Sequence, residues 1–173
     1  PCRGVKKFKE KRRERFLSSE ELARLGTALL AEEKEAPSAV TCIRLLIFTG
    51  CRLSEIQKLK WNYVDLKSKM ILLPDSKPGT KTIYLGQAAI EEFQRTPKIA
   101  GNSFVITGNI DGQYLSDMQK PWRRIRKAAD LEDVRIHDLR HTFASRAVAL
   151  GQGLTTIGKL LGHTQTQTTA RYA

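Results

Sequence analysis

Apolar residues recur at helical spacing through most of the chain, and this pattern predicts a mainly helical protein. Ser18 and Glu21 have the spacing of a capping box, and leucines follow on one face to about residue 33, which indicates a first helix. Pro37 begins a second helix, and Gly50 ends it. Because this second helix is apolar on most sides, we expect it to be buried.

Strand character is confined to the middle of the chain. Residues 70–73 and 82–85 are short strand candidates, and the residues of 74–80 between them (Pro, Asp, Ser, Lys, Pro, Gly and Thr) have the chemistry of a turn. The two segments therefore predict a β-hairpin. Residues 104–106 are a candidate for a further minor strand. The expected fold class is mainly α with a small antiparallel β-sheet.

The shorter helices are predicted from capping residues and apolar spacing. Ser54 is expected to cap a helix that carries Glu55, and a basic helix follows Ser116. The inward residues of this basic helix are expected to be Trp122, Ile125 and Ala129. Further helices are expected at 87–95, 155–161 and 166–173.

One helix in the second half combines a buried pattern with candidate chemistry. Asp138 has the position of its N-cap, and Gly151 the position where it ends. Its inward face is expected to consist of Leu139, Phe143, Ala147 and Leu150. His137 and Arg140 are three residues apart and are therefore neighbours on the helix surface. An imidazole beside a guanidinium at a helix start suits an anion, although the segment also fits a packed amphipathic helix with solvated charges.

The composition favours a polyanionic partner. The chain has 173 residues, which suits one domain, and its 30 Lys and Arg residues against 18 Asp and Glu residues give a net charge of +12. Nucleic acid is the partner that such a charge favours. No apolar run has membrane-spanning length, so no integral membrane protein is expected. The three cysteines lack metal-site spacing, and Cys42 and Cys51 are interpreted as small buried hydrophobes in a reducing, cytosolic compartment.

Basic residues concentrate in two segments. Residues 1–15 carry eight of them, which indicates a linker or arm, either a solvated tail or a strap against phosphates. A second group lies in the basic helix, at 123–127. The candidate DNA-binding residues are Arg3, Lys6, Lys7, Lys9, Arg123, Arg124 and Lys127.

Four separated motifs give the chain a family resemblance. They are Thr-Gly-Cys-Arg-Leu-Ser-Glu at 49–55, Ser-Lys-Pro-Gly at 76–79, His-Asp-Leu-Arg-His at 137–141, and Leu-Gly-His at 161–163 with a tyrosine nine residues later. In order and spacing they resemble the catalytic domain of the tyrosine recombinases, the phage-integrase family. The resemblance extends from about Phe16 to the end of the chain.

The resemblance implies a site-specific DNA recombinase or integrase that breaks and rejoins strands through a 3′-phosphotyrosyl intermediate, without metal, ATP or another cofactor. Arg52 and Arg140 match the two arginines that clamp the phosphate, and Glu55 matches the acidic residue that orients the first of them. His137 matches a general base or phosphate contact. His141 is interpreted as structural.

The same resemblance assigns the remaining reacting groups. Lys77 matches the hairpin lysine that protonates the 5′ leaving oxygen, with Lys81 as a competitor for that role. His163 matches the second histidine, which donates to a phosphate oxygen, and Tyr172 matches the nucleophile. The other tyrosines are expected to be packing or rim residues; they are Tyr63, Tyr84 and Tyr114.

The resemblance also implies a setting for the domain. Residues 1–15 are expected to be a linker, and 16–173 the catalytic domain, with the family's amino-terminal DNA-clamping domain and carboxyl-terminal tail missing from this chain. The implied partner is double-stranded DNA, on which the full-length protein assembles as a tetramer. A cytoplasmic, nucleoid-associated protein of bacterial, phage or mobile-element origin is expected.

Three alternatives compete with this interpretation. His137 and His141 are four residues apart, as in a zinc-binding His-Glu-x-x-His helix, but Asp138 replaces the glutamate and no third ligand is evident. A DNA-binding module that never cuts fits the charge but gives no reason for the motifs to coexist. A type IB topoisomerase-like nicking and sealing enzyme uses similar chemistry.

Overall fold

The computed structural model describes residues 15–76 and 79–161. This part of the chain is mostly helical with one small antiparallel sheet, which confirms the predicted fold class. The helices are α1 (Ser19–Ala31), α2 (Pro37–Thr49), α3 (Leu53–Gln57), α4 (Gln87–Arg95), α5 (Gln119–Ala128), α6 (Asp138–Ala149) and α7 (Leu154–Leu161), and the strands are β1 (Val64–Asp65), β2 (Met70–Ser76) and β3 (Gly79–Tyr84). Among the described helices, none has the length and hydrophobicity to cross a membrane. The helix predicted at 166–173 lies outside the described residues.

The two amino-terminal helices form as their capping residues predict. At the start of α1, the Ser18 hydroxyl accepts a hydrogen bond from the Glu21 amide, and the Glu21 carboxylate accepts one from the Ser18 amide. Pro37 is in the first turn of α2, and Gly50 ends the helix in the left-handed conformation, at φ 63°. Helix α2 lies at the centre of the core, where it packs against α3, α4 and α6. Its burial is therefore confirmed.

The hairpin is longer than the sequence predicted. Residues 74–76 belong to β2 and 79–81 to β3, so the segment 74–80 is not a continuous turn. Leu73 pairs with Lys81 and Ser76 with Gly79, with an irregularity between the two pairs. Pro74 lies at this irregularity, since a proline cannot donate to the ladder and is tolerated at a bulge.

The sheet contains one unpredicted strand and lacks one that was predicted. β1 was not predicted because it has only two residues and depends on pairing with β2, through Val64 and Ile71. The minor strand expected at 104–106 is wrong: Phe104 forms an isolated bridge with Lys60 instead.

Helix α6 differs in detail from the prediction. Its cap is His137, not Asp138, whose carboxylate accepts a hydrogen bond from the Arg135 amide. Leu139 is buried as expected, but Leu150 is 79% exposed. Leu150 follows the last helical residue, whereas the half-buried Phe143 and Ala147 pack inward as expected, against the cluster of Ala144, Ile157 and Leu161.

Helix α3 is also capped differently. Ser54 lies inside the helix and Arg52 is its N-cap. The Arg52 amide donates to the Glu55 carboxylate over 2.8 Å. Glu55 therefore pairs one of the backbone amides at the helix start that have no partner within the helix.

Candidate active site

Arg140 connects three helices through its guanidinium. It is 5% exposed, and it donates from Nη1 to the Gly50 carbonyl and from Nη2 to the Leu161 carbonyl, both over 2.6 Å. Gly50 ends α2, and Leu161 is the last described residue of α7, so an arginine of α6 contacts the backbone of both neighbouring helices. A Cβ on Gly50 would collide with the Phe143 ring, so the absence of a side chain at Gly50 allows the end of α2 to approach α6 this closely.

Arg52 lies two residues beyond the carbonyl that Arg140 binds. Its side chain is 42% exposed, and its Nη1 donates to Glu55 Oε1 over 2.9 Å. The structure thus brings the two predicted arginines to the same end of α2, one buried and one partly open to solvent. Guanidinium groups present donors whose geometry matches phosphate oxygens.

The Glu55 carboxylate has a third donor that the sequence did not predict. Lys81 Nζ lies 3.0 Å from Glu55 Oε2, and the Lys81 side chain is 5% exposed. Burial acts to raise the pKa of Glu55, but the hydrogen bond from the Arg52 amide and the charge of Lys81 outweigh it and hold the pKa below its ordinary value. Glu55 therefore stays ionised between two cations.

A signal for the burial of Lys81 is present in the sequence. Side chains alternate along a strand, and Ile83 and Leu85 are apolar, which places Lys81 on the same inward face. Ile83 is 2% exposed, and Lys81 is buried beside it. From the resemblance, Lys81 was expected only as a competitor of Lys77 for the proton-donor role, and its burial was not predicted.

The two histidines of α6 contact each other. His137 is exposed at the start of the helix, and its ring centroid lies 5.0 Å from that of the half-buried His141, with the rings nearly perpendicular at 87°. Arg140 follows His137 by about one turn. The described residues contain no group of three His, Cys, Asp or Glu side chains arranged to hold a metal ion.

An open cleft of about 610 Å³ borders Glu55. Two lysines line it together with aromatic rings: Lys58 Nζ lies 5.9 Å from the Tyr114 ring centroid, and Lys60 Nζ lies 5.4 Å from that of Phe104. We call this the lysine cleft. The sequence did not predict this cleft, because Lys58 and Lys60 are more than forty residues away from Phe104 and Tyr114.

Other predicted groups have the expected exposure. Arg123, Arg124 and Lys127 are exposed on α5, with Arg124 paired to Glu32 over 2.5 Å. The thiols of Cys42 and Cys51 are buried and free, and burial raises the pKa of Cys51 to about 11. Tyr84 is 67% exposed, while Tyr63 and Tyr114 are half-buried.

Arg15 was assigned to the basic arm, but it is bound to the folded domain. Its guanidinium pairs with Glu21 over 2.6 Å and with Asp133 over 2.8 Å. Several other predicted residues lie outside the described part of the chain, namely Arg3, Lys6, Lys7, Lys9, Lys77, His163 and Tyr172.

Known proteins share this fold over most of the chain. The phage integrase family matches residues 15–173. Tyrosine recombinase XerC of Staphylococcus epidermidis is 28% identical over 174 residues, which are 95% of this chain and 58% of XerC. The chain thus spans little more than half the length of this curated relative.

Two solved structures are similar in fold. The catalytic domain of bacteriophage HP1 integrase matches with a TM-score of 0.71 and 24% identity, over 92% of this chain and 87% of that one. The XerH site-specific recombinase bound to its difH substrate, a pre-cleavage complex, matches with a TM-score of 0.73 and 24% identity. The match covers 91% of this chain and 49% of the XerH chain.

The fold is that of a tyrosine recombinase catalytic domain. The chain belongs to the phage integrase family.

Proposed function

We propose that this chain is the catalytic domain of a site-specific DNA recombinase or integrase, which cleaves and rejoins DNA strands through a 3′-phosphotyrosyl intermediate. The observation that carries the proposal is the placement of Arg52 and Arg140 at one end of α2, with Glu55 bonded to the first and the Gly50 carbonyl bonded to the second. Such a pair suits the non-bridging oxygens of a phosphodiester, whose negative charge grows in the transition state.

In the proposed reaction the Tyr172 hydroxyl oxygen attacks the scissile phosphorus. Its proton passes to a base, for which His137 is the candidate, and the bond from phosphorus to the 5′ oxygen breaks. Lys77 gives the departing 5′ oxygen a proton, and His163 donates a hydrogen bond to a phosphate oxygen. Attack by a free 5′ hydroxyl on the phosphotyrosine reverses these steps, so the strand is rejoined without an external energy source.

The proposed partner is double-stranded DNA, on which the full-length protein assembles as a tetramer in the cytoplasm, at the nucleoid. The XerH structure supports the DNA partner, since that recombinase is bound to its difH substrate. The net charge of +12 also favours it. We further propose that the lysine cleft contacts phosphates, because ammonium groups held over aromatic rings at the border of the site can pair with the DNA backbone.

The test of this function is covalent capture. A DNA site nicked close to the scissile phosphate loses its short leaving strand, so a protein–DNA adduct should accumulate and survive denaturing electrophoresis. We expect peptide mapping to place the adduct on Tyr172. Tyr172→Phe should retain DNA affinity and the unfolding midpoint but form no adduct; an adduct of undiminished yield in that variant would assign the nucleophile elsewhere.

DNA affinity is expected to fall steeply with salt, because each phosphate contact releases counterions. Replacing Lys58 and Lys60 with alanine should reduce the magnitude of the slope of log K against log salt by about 2, at about 0.9 per contact. Lys67→Ala is the matched control, since Lys67 is exposed in the β1–β2 turn. The slope should also shrink for Arg123→Ala and Lys127→Ala if α5 contacts DNA. Equal slopes for the cleft variant and the parent protein would remove the cleft from the interface.

A further inference from the structure

Both oxygens of the Glu55 carboxylate are occupied. Oε1 accepts from Arg52 Nη1, and Oε2 accepts from the Arg52 amide and from Lys81 Nζ. The side chains of Glu55 and Lys81 are 11% and 5% exposed. A single carboxylate thus connects the start of α3 to the interior of β3.

The stability of the domain depends on this contact, because both charges are buried. Removing one partner of a buried ion pair leaves the other charge uncompensated, which destabilises a protein far more than the loss of a surface pair. Glu55 without Lys81 would lose one of the donors that fix its rotamer. Its second oxygen would then be held by the Arg52 amide alone.

We infer that Lys81 is a positioning residue, which holds the Glu55 carboxylate in the orientation that directs the Arg52 guanidinium toward the scissile phosphate. The inference rests on the proposed function and deepens it, since it adds a residue to the same site. It also removes Lys81 from competition for the proton-donor role, because its ammonium is directed at a carboxylate in the protein interior. A general acid must instead reach its acceptor at about 2.6–3.2 Å.

The position of Lys81 in the sheet extends this role to the hairpin. Lys81 pairs with Leu73 beside the irregularity at Pro74, four residues after Lys77. The strand that carries it also contacts α7. The ion pair with Glu55 therefore fixes the base of the hairpin to α3.

The test compares Lys81→Met with Lys67→Met, two variants that remove one positive charge each. The measured quantity is the rate of adduct formation at saturating DNA. We expect Lys81→Met to lower this rate by about 10- to 100-fold, which lies within the range of coupling energies between residues of one network. Its DNA affinity should stay within about twofold of the parent value. Lys67→Met should keep the parent rate. A change in affinity equal to the change in rate would indicate general loss of structure and contradict the inference.

A double-mutant cycle distinguishes action through Arg52 from an independent effect. In an Arg52→Ala background, Lys81→Met should reduce the rate by less than about threefold, because the group that it positions is already gone. Full multiplicative loss would overturn the inference. A substrate with sulfur in place of the bridging 5′ oxygen needs no proton donor, so it restores only variants that lack the acid. Because the defect of Lys81→Met is expected to lie in the position of Arg52, this substrate should not restore its rate. Restoration would make Lys81 the acid instead.

The ion pair can also be tested without catalysis, which separates this inference from the proposed function. If the parent protein forms no adduct, the proposed function fails, and the unfolding midpoints still decide whether Lys81 is linked to Glu55. Lys81→Met and Glu55→Gln should each lower the midpoint by roughly 5–15 °C, and the double variant should lie no lower than the worse single one. Strictly additive shifts would show that the two side chains are not coupled.

Discussion

Arg140→Ala is expected to abolish measurable adduct formation and to lower the stability of the domain at the same time. Loss of one donor to a developing oxyanion reduces a rate by about 10²–10³, and a guanidinium presents more than one, so the fall should exceed about 10³. The same change leaves the carbonyls of Gly50 and Leu161 without the donors that bind them. A buried unsatisfied group costs about 1–3 kcal/mol, so a loss of about 2–6 kcal/mol of unfolding free energy is expected.

The two effects can be separated by matched variants. Arg140→Lys keeps the charge but not the planar fork, so it should recover part of the stability and little of the rate. Arg146→Ala is the control on the same helix, since Arg146 is exposed on α6, and it should change neither quantity by more than about twofold or 0.5 kcal/mol. Rates come from adduct assays and stabilities from denaturant unfolding. Retention of the parent rate in Arg140→Ala would exclude the arginine from the phosphate site.

Lys77→Ala should lose cleavage by about two to four orders of magnitude, the range for removal of a general acid. The sulfur substrate should restore much of this loss, because a thiolate leaves without a proton. The same substrate should leave Arg140→Ala inactive, since its defect is in charge stabilisation. The measurement is the rate of adduct formation on matched oxygen and sulfur sites.

Lys81→Met provides the internal comparison for that experiment. Lys77 and Lys81 are four residues apart, but their variants are expected to respond differently to the sulfur substrate. This substrate should restore the rate of Lys77→Ala and leave Lys81→Met slow. If sulfur instead restores Lys81→Met while Lys77→Ala stays inactive, the proton donor is Lys81 and the assignment by resemblance is wrong.

Local chemistry explains what could be predicted of the fold. The capping box of Ser18 and Glu21 and the proline and glycine that bound α2 act within a few residues, so the sequence alone locates these helices. β1 and the extra length of the hairpin depend on pairing with other strands. The local pattern of apolar residues does not show this pairing. The prediction that Leu150 is buried was wrong for a related reason, because the helical spacing of apolar residues continues beyond Ala149, where α6 ends.

The candidate site divides in the same way. Arg52 and Arg140 could be named from motifs, but the contact of Arg140 with the Gly50 carbonyl joins residues 90 positions apart. The ion pair of Lys81 with Glu55 joins residues 26 positions apart across two elements, and only packing shows that Lys81 is inside. The lysine cleft likewise exists only after residues 104–114 fold against α3.

The two carbonyls that hold Arg140 lie at the carboxyl-terminal side of α2 and of the described part of α7, and aligned peptide dipoles place about half a negative charge at the carboxyl end of a helix. Two such helix ends converge on one guanidinium, so folding itself supplies a counter-charge of about one unit. The arginine in turn acts as a shared carboxyl-terminal cap for both helices. The placement of the Arg140 guanidinium and the packing of the described end of α7 against α2 and α6 are consequently linked by one set of electrostatic contacts.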